Sequence, residues 1–152
     1  MFRRVCAQFC TGVAIAAVVD AAGRPHGLTI NSFTSVSLQP AMVLICIDNR
    51  AAVLSVFREA AHFSINFLGV GQQQISNRFA TAPDDRFVGV EWSAGPHGSP
   101  VIAGSIAVLE CGNVQAIAAG DHTILLAEAL YAHVEGGEPL VYFSSGYVKL
   151  AD

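Results

Sequence analysis

Hydrophobic positions along the chain change their period several times, and each change marks a predicted element. Apolar residues recur at helical spacing over residues 2–9, which predicts a short amphipathic helix with Gly12 as its C-terminal glycine. Residues 13–19 are a run of alanine and β-branched residues that ends in a turn cluster at residues 20–23. Residues 26–33 alternate again, so the two runs predict a β-hairpin.

The middle of the chain alternates strands with brief helices. After a loop that Pro40 closes, residues 41–47 are apolar on both faces, as expected of a strand buried from either side. Residues 51–60 repeat their apolar positions at the helical period, and residues 62–68 alternate as the next strand. A second brief helix is predicted over residues 72–79 and is followed by a polar loop.

Strands dominate the last third of the chain. Residues 87–100 are rich in Gly and Pro, which predicts an irregular excursion in a position to cap a site. Five or more strands at short spacing, with only brief helices between them, favour a closed antiparallel β-barrel with peripheral helices over a doubly wound sheet. The last strands are predicted at residues 106–117, 123–134 and 140–143, with a short piece at residues 147–150.

The composition predicts a subunit interface. Hydrophobic residues make up 53% of the 152 residues and charged residues only 13%, whereas typical soluble domains carry about 25% charged residues. The apolar runs are much shorter than the roughly 20 residues of a membrane span, so no membrane partner is expected. The apolar surplus favours contact with a second subunit, and we expect a homodimer.

Charge and cysteine usage limit the partners and the compartment. Eight basic and 12 acidic residues give a net charge of -4, which offers no broad basic face for nucleic acid. The four cysteines contain no C-x-x-C pair, and buried thiols of a reducing compartment explain them best, which predicts a cytoplasmic protein. Cys6 and Cys10 share a helical face, but two thiolates without further ligands make a poor zinc site.

Motifs of several enzyme classes are missing from the sequence. Residues 69–71 open like a dinucleotide-binding fingerprint, but Gln74 stands where its third glycine belongs. The chain has neither a P-loop nor a G-x-S-x-G elbow, and its five histidines form neither H-x-H nor H-x-x-x-H. These absences argue against a P-loop enzyme, a serine hydrolase and a zinc enzyme, and no metal site is predicted.

Two polar clusters lie within otherwise apolar surroundings. Residues 29–37 carry six hydrogen-bonding side chains at the end of a predicted strand, and residues 120–123 read Gly-Asp-His-Thr at a turn between two long strands. The first cluster is also typical of a solvated loop, and the second of an ordinary turn with a strand-edge histidine. The residues alone leave both interpretations open.

These clusters, in their order along the chain, resemble the flavin reductase-like family, which has an FMN-binding split-barrel fold. The Asn-Ser-Phe-x-Ser-Val-Ser run and the Gly-Asp-His turn are the specific motifs. The resemblance implies a mainly β fold, a Greek-key split β-barrel with a few short peripheral helices, formed by residues 1–152 as a single domain. The matching segments, which cover nearly the whole chain, are residues 9–13, 27–40, 62–68, 87–92 and 120–124, with Tyr147.

The resemblance also implies where a flavin, FMN or FAD, binds. It places the ring and the ribityl chain along residues 29–37, where a strand end offers main-chain N–H and C=O groups beside polar side chains. Relatives often carry Arg followed by Ser or Thr at the phosphate, whereas this chain has Asp48, Arg50 and Ala52. The hydroxyl ligands are thus missing, and loose flavin binding is expected. The other residues expected at the flavin are Thr29, Ile30, Asn31, Ser32, Phe33, Ser35 and Ser37.

His122 is the candidate catalytic residue, on the side of NADH or NADPH, and Tyr147 is a second candidate there. The resemblance implies a histidine near the nicotinamide nucleotide. Direct hydride transfer between stacked rings otherwise asks little of acid or base residues. A strand-edge histidine held by Asp121 is the structural alternative for His122.

The implied function is an NAD(P)H:flavin oxidoreductase that reduces FMN or FAD by direct hydride transfer. Its reduced flavin would serve a separate oxygenase component, as in two-component monooxygenases. One alternative is a flavin-binding or storage protein without NAD(P)H turnover. Another is a related split-barrel oxidoreductase, such as a corrin-ring reductase or a pyridoxamine phosphate oxidase. The lack of a dense Arg and Lys cradle argues against pyridoxal phosphate.

Overall fold

This computed structural model describes residues 1–151 of the chain. They contain twelve strands and three α-helices. The strands are β1 (Thr11–Gly12), β2 (Ala14–Val19), β3 (Pro25–Ile30), β4 (Thr34–Leu38), β5 (Ala41–Asp48), β6 (Phe63–Phe67), β7 (Trp92–Ala94), β8 (Pro100–Ile102), β9 (Ala107–Ala119), β10 (His122–Val134), β11 (Val141–Phe143) and β12 (Gly146–Val148). The helices are α1 (Phe2–Cys6), α2 (Leu54–Glu59) and α3 (Gln73–Thr81), with a 3₁₀ turn at Val70–Gln72 before α3. Among these residues no helix has the length and apolar character to cross a bilayer. The predicted mainly β class with short helices is confirmed.

Seven strands form one antiparallel sheet in the order β3-β2-β6-β9-β10-β5-β4. Its centre is the hairpin of β9 and β10, which have 13 residues each and pair with two register shifts. In β5 and β10, buried residues alternate with half-buried ones, because successive side chains point to opposite faces of a sheet. A second sheet joins β1, β11 and β12, and β7 pairs with β8.

The two edge strands of the large sheet, β3 and β4, follow each other directly in the chain. Only residues 31–33 separate Ile30, the last residue paired with β2, from Thr34, the first paired with β5. Seven strands about 4.8 Å apart would span roughly 29 Å in a flat sheet, but four residue steps reach only about 14 Å. The sheet must therefore curl until its edges meet. Residues 25–38 thus act as one long strand that forms both edges of the sheet, which we call the long strand. Within the described residues, β3 and β4 do not pair with each other.

Three local predictions are wrong. The loop predicted before Pro40 contains β4, whose Ser and Thr residues are tolerated because the strand lies at an exposed sheet edge. Gly12 does not end the first helix, because α1 stops at Cys6 and Gly12 pairs with Val141 in β11. The excursion at residues 87–100 is not wholly irregular, because it contains β7 and the first residue of β8.

Strand β2 separates two apolar clusters, because its Ala, Ile and Val side chains are buried on both faces. One cluster fills the inside of the curled sheet, and the other lies under α3 and the 87–102 segment. Gly27 on β3 allows α3 to approach, since a Cβ there would lie 2.9 Å from the Ala16 carbonyl oxygen and 3.0 Å from the Phe79 ring. The close packing of α3 on β3 thus depends on the absence of a side chain at Gly27.

A buried carboxylate fastens the 95–99 loop to the sheet. Glu110 of β9 is fully buried, and its carboxylate accepts main-chain N–H groups of His97 at 3.1 Å and Ser99 at 3.0 Å. A Cβ at Gly95 would lie 2.6 Å from this carboxylate. A glycine is therefore needed for the loop to fold around Glu110.

Two more buried polar side chains continue this anchor along β6. Asn66 accepts the N–H of Ile102 at 2.9 Å, and its amide donates to the Pro100 carbonyl at 3.2 Å. The Ser64 hydroxyl also donates to the Pro100 carbonyl. Side chains of the sheet thus supply hydrogen bonds that short strands β7 and β8 leave unmade.

We expect Glu110→Ala to lower the free energy of unfolding by about 3 kcal/mol. The change removes charge-assisted hydrogen bonds and leaves the N–H groups of His97 and of the buried Ser99 without an acceptor. Urea denaturation measures the loss. Glu128→Ala is the control, because Glu128 is only half-buried and accepts one bond from Asn113, so its loss should stay near 0.5 kcal/mol. Equal losses in the two variants would contradict the anchoring role.

Candidate functional site

Asn31 lies at the point where the long strand passes from one sheet edge to the other. Its side chain is exposed, and the residue borders three cavities of about 200, 240 and 200 Å³. Thr29 and Ile30 precede it and still pair with β2. The beginning of the predicted flavin segment therefore lies where these cavities meet.

The first cavity, the tyrosine cavity, lies beside β3, α3 and the β11–β12 hairpin. The hydroxyl oxygens of Tyr147 and Ser76 are 2.7 Å apart, and the Tyr147 hydroxyl donates to Asn77 Oδ1 at 3.0 Å. The Thr29 hydroxyl donates to the Ser76 carbonyl at 2.6 Å, which ties β3 to α3. The cavity thus has hydroxyl groups on a largely apolar wall. It is lined by Val13, Thr29, Ile30, Asn31, Ser76, Ala80, Tyr142 and Tyr147.

The second cavity, the phenylalanine cavity, has an apolar wall and an unsatisfied hydroxyl. The rings of Phe33 and Phe67 meet edge to face with centroids 5.0 Å apart. The Thr11 hydroxyl is buried and has no hydrogen-bond partner within residues 1–151. Because an unpaired buried hydroxyl is unfavourable, it indicates a polar ligand atom at this wall. The lining residues are Phe9, Cys10, Thr11, Gly12, Val13, Ala14, Ile30, Asn31, Phe33 and Phe67.

Ser32 lies between these cavity residues, but its hydroxyl is engaged within the fold. It donates to the Cys46 carbonyl at 2.9 Å and accepts the Cys46 N–H at 3.1 Å. These main-chain groups of β5 lie two residues beyond Leu44, the last residue of β5 that β4 pairs. The Ser32 side chain thus continues the pairing at the crossover, and a flavin would have to compete with both bonds.

Ser35 and Ser37 lie on β4, farther along the long strand. Ser35 is exposed and pairs with Val43, whereas Ser37 is half-buried and pairs with Met42 after a register shift. Neither residue borders the tyrosine or the phenylalanine cavity. The structure therefore does not bring these two serines to Asn31.

A second group of predicted residues surrounds His122. His122 pairs with Asp48 of the neighbouring strand, and its Nδ1 is 2.7 Å from Asp121 Oδ1. Arg50 donates to the Asp48 carboxylate from Nε at 3.1 Å and from Nη2 at 2.8 Å, while its side chain is 88% exposed. The cation expected at the flavin phosphate is therefore already paired with a carboxylate.

Hydrogen bonds in this group shift several pKa values. The Arg50 side chain holds the pKa of Asp48 well below its usual range, and the hydrogen bond with His122 lowers the pKa of Asp121. The bond to Asp48 in turn raises the pKa of Arg50. Both carboxylates thus stay ionised, and Arg50 stays charged, at neutral pH.

The two groups lie on different parts of the sheet. Ser32 contacts Cys46 on β5, whereas His122 lies one strand farther and two residues along, opposite Asp48. This separation is roughly 10 Å across the strands and 7 Å along them. Within one chain the structure therefore brings together Thr29, Ile30, Asn31, Phe33 and Tyr147, but not His122. Ala52 borders another cavity, together with Arg86.

Sequence patterns did not single out Thr11, Ser76 or Arg86. Ser76 belongs to a predicted helix and contacts Thr29 across 47 residues of sequence, a relationship that no local spacing reveals. Thr11 lies in one of the segments that match the family, and this match was the only sequence feature that could have pointed to it. Arg86 follows a polar loop that predicted no particular chemistry.

The surroundings of Asn31 fit a flat heteroaromatic group with a polar edge. Phe33, Phe67 and Ile30 supply apolar surface, while the Asn31 amide and the unpaired Thr11 hydroxyl offer hydrogen bonds. An isoalloxazine ring has this combination of a flat apolar body and a polar pyrimidine edge. The residues present therefore fit a flavin.

Residues 6–151 match the family model described as flavin reductase like domain. The chain is 39% identical over 145 residues to the stachydrine N-demethylase reductase subunit Stc3 of Rhizobium meliloti, covering 95% of this chain and 63% of that protein. It thus spans less than two thirds of that relative. It is 40% identical over 150 residues to the FMN reductase (NADH) SmoA of Agrobacterium fabrum, covering 99% of this chain and 85% of SmoA.

A solved structure shares the same fold. The NADH:FAD oxidoreductase of Streptomyces globisporus C-1027, in complex with NAD and FAD fragments, aligns with a TM-score of 0.92. The two proteins are 36% identical, and the match covers 99% of this chain and 91% of the other. The fold and the relatives agree with the resemblance that the sequence motifs indicated.

We expect Ser32→Ala to lower the free energy of unfolding by about 1–2 kcal/mol, because the N–H and C=O of Cys46 both lose their partner. Chemical denaturation measures the change. The matched control is Ser35→Ala on exposed β4, which should stay within about 0.5 kcal/mol of the parent. An unchanged stability of Ser32→Ala would contradict the role of this hydroxyl in sheet pairing.

Proposed function

The chain belongs to the flavin reductase-like family, and from this membership we propose that it is an NAD(P)H:flavin oxidoreductase that reduces FMN or FAD. Relatives named as an NADH-dependent FMN reductase and an NADH-dependent FAD reductase support the reaction. The structural observation that best supports flavin binding is the pair of cavities that meet at Asn31. One has a buried unpaired hydroxyl, and the other has hydrogen-bonded hydroxyls.

In this proposal the protein positions its reactants and excludes water. A bound flavin supplies the hydride acceptor, so no side chain has to form a covalent bond. Phe33 and Phe67 present an apolar wall, and the Asn31 amide and Thr11 hydroxyl hold polar edge atoms in register. Donors at such positions also stabilise the negative charge that grows on a reduced ring.

We assign His122 to the nicotinamide nucleotide. Its Nδ1 is bound to Asp121, which fixes the ring, and its side chain is 44% exposed, so Nε2 remains available to a ligand. We assign Tyr147 to the flavin-ring end of the site, because the residue lines the tyrosine cavity. The distance between His122 and Asn31 within one chain favours a site that is completed by a second copy.

A homodimer is the second part of the proposal. The outer face of β5, β9 and β10 carries half-buried and exposed apolar side chains instead of the charges expected of a solvated sheet face. His122 and Asp48 lie at one end of this face. A second copy packed on it would border His122 and bury the apolar surplus. The face consists of Met42, Leu44, Cys46, Ile117, Ile124 and Leu126.

The partner that consumes the reduced flavin is proposed to be a separate oxygenase. Relatives are named as reductase components of a trigonelline monooxygenase and of a 4-nitrophenol monooxygenase, which supports this partner class. A cytoplasmic location is proposed because all four cysteines are free, as is usual in a reducing compartment. The expectation of buried thiols is wrong for Cys6 and Cys10, which are exposed.

The reaction is tested by following NADH and NADPH oxidation at the nicotinamide absorbance with added FMN, FAD or riboflavin. We expect oxidation that requires both the protein and a flavin. Flavin binding without oxidation by either nucleotide would contradict the proposal and favour a flavin-storage role.

His122→Ala should lower kcat/KM for the nicotinamide nucleotide by about tenfold or more, since one positioning contact of that ligand is lost. His133→Ala is the matched control, because His133 is also an exposed strand histidine beside a carboxylate, 3.3 Å from Glu135. Equal effects of the two changes would contradict the assignment of His122.

Leu126→Lys should convert the dimer to monomers, because it places a charge in the middle of the apolar face. Light scattering coupled to size exclusion gives the mass directly. Val88→Lys is the control, since Val88 is exposed on a loop outside this face. A parent chain that is monomeric at micromolar concentration would contradict the dimer.

A further inference from the structure

A separate cavity lies where the segment after α2 meets the 95–99 loop. It measures about 240 Å³ and shares no lining residue with the tyrosine or the phenylalanine cavity. We call it the histidine cavity, because two of the five histidines of the chain lie in its wall. Its polar lining residues are Asp20, Glu59, His62, His97 and Ser99, and the rest of the wall is mainly Val and Ala.

The two histidines of this cavity differ from the other three in their ring nitrogens. His26, His122 and His133 each have a ring nitrogen 2.7–3.3 Å from a carboxylate oxygen. Within residues 1–151, the ring nitrogens of His62 and His97 take part in no hydrogen bond. His62 is half-buried and His97 is exposed. Both imidazoles are therefore available to a ligand, and imidazole is the commonest metal-binding side chain.

The spacing of the two rings fits a shared metal ion. The ring centroids of His62 and His97 are 5.3 Å apart, and the ring planes are inclined at 39°. Zn²⁺ binds imidazole nitrogen at about 2.0–2.1 Å, which puts the ring centroid roughly 3.2 Å from the metal. Two imidazoles at neighbouring corners of a tetrahedron then have centroids about 5.2 Å apart. The observed separation matches this value.

Both imidazoles are carried by restrained main chain. His97 belongs to the loop that Glu110 anchors, and its N–H donates to that carboxylate at 3.1 Å. The His62 ring packs on Gly112 of β9, where a Cβ would lie 3.0 Å from His62 Cδ2. The two rings are thus positioned by the fold before any ligand binds, which lowers the ordering cost of binding.

The carboxylates around the histidine cavity favour a cation. Glu59 has neither an ion pair nor a hydrogen-bond partner in the part of the chain that the structure describes. Glu110, behind the 95–99 loop, is fully buried and accepts only N–H groups. Asp20 is already bound by Arg24 and His26. No Lys or Arg lines the cavity, so a cationic ligand would compensate its negative surroundings.

Ser99 adds an unsatisfied hydroxyl to the same wall. The residue is 2% exposed, and its Oγ has no hydrogen-bond partner within residues 1–151. An unpaired buried hydroxyl is unfavourable unless water or a ligand reaches it. Among the described residues, no three His, Cys, Asp or Glu side chains are placed to hold a metal ion together. Water therefore has to complete the coordination of an ion at the two histidines, and Ser99 offers a partner for such a water.

We propose that His62 and His97 bind a divalent transition-metal ion of the zinc type, and that this ion fastens the 95–99 loop to the start of β6. Two imidazoles and water molecules form the site. No histidine motif in the sequence indicated it, because the two residues lie 35 positions apart in the chain. The site does not depend on the proposed function, since neither histidine lines the tyrosine or the phenylalanine cavity.

Titration calorimetry of the whole chain with zinc chloride, without flavin or nicotinamide, tests this site. His62→Ala and His97→Ala should each weaken zinc binding by about tenfold or more, because one of the two protein ligands is lost. His133→Ala is the matched control and should change zinc binding less than about twofold, since His133 lies outside the histidine cavity. His97 is exposed, so His97→Ala should keep the urea midpoint of the parent without zinc.

Exposed thiols are the other zinc ligands that the titration has to separate. Cys6 and Cys10 are both free and exposed. The ion of the histidine cavity should persist in the double variant Cys6→Ser and Cys10→Ser and be lost in His97→Ala. Loss of all zinc binding in the cysteine variant assigns the ion to the thiols and overturns the inference.

Three further results overturn the inference. One is a parent chain that binds no zinc at about 1 mM. Another is zinc binding that survives both histidine changes. The third is a loss in only one of the two histidine variants, because the site requires both imidazoles.

Discussion

Residues 25–38 pair with both edges of the same sheet. The first half of this segment pairs with β2 and the second half with β5, so the sheet has to curl. Each half leaves one of its sides unpaired, and main-chain groups and neighbouring side chains there remain open to a ligand. The Ser32 hydroxyl satisfies Cys46 at the crossover, which allows the pairing to change partner without leaving buried groups unmet.

The candidate flavin site follows from this geometry. The phenylalanine cavity lies between the crossover and the segment before β2. Helix α3 approaches β3 over Gly27 and brings the Ser76 hydroxyl to that of Tyr147 on β12, in the cavity beside Asn31. The outer face of β5 and β10 remains apolar, and it ends at His122.

Much of the fold was predictable because its strands are strongly patterned. The runs that became β2, β5, β6, β9 and β10 alternate or are continuously apolar, and all were predicted. Strand β4 was not, since Thr34, Ser35 and Ser37 are polar and pair only because the long strand brings them to β5. The Thr29 to Asn31 part of the site was predicted from motifs, and the structure places it at cavities. Thr11 was not predicted, because only the three-dimensional structure shows that its buried hydroxyl has no partner within residues 1–151.

The proposed flavin site lies along the open side of β3 and around Asn31. Hydrogen exchange of the main chain, with and without FMN, tests it directly. We expect slower exchange in peptides that cover residues 9–13 and 29–33, because these segments line the tyrosine and phenylalanine cavities. Slower exchange confined to residues 59–62 and 97–99, which line a separate cavity around His62 and His97, would contradict it.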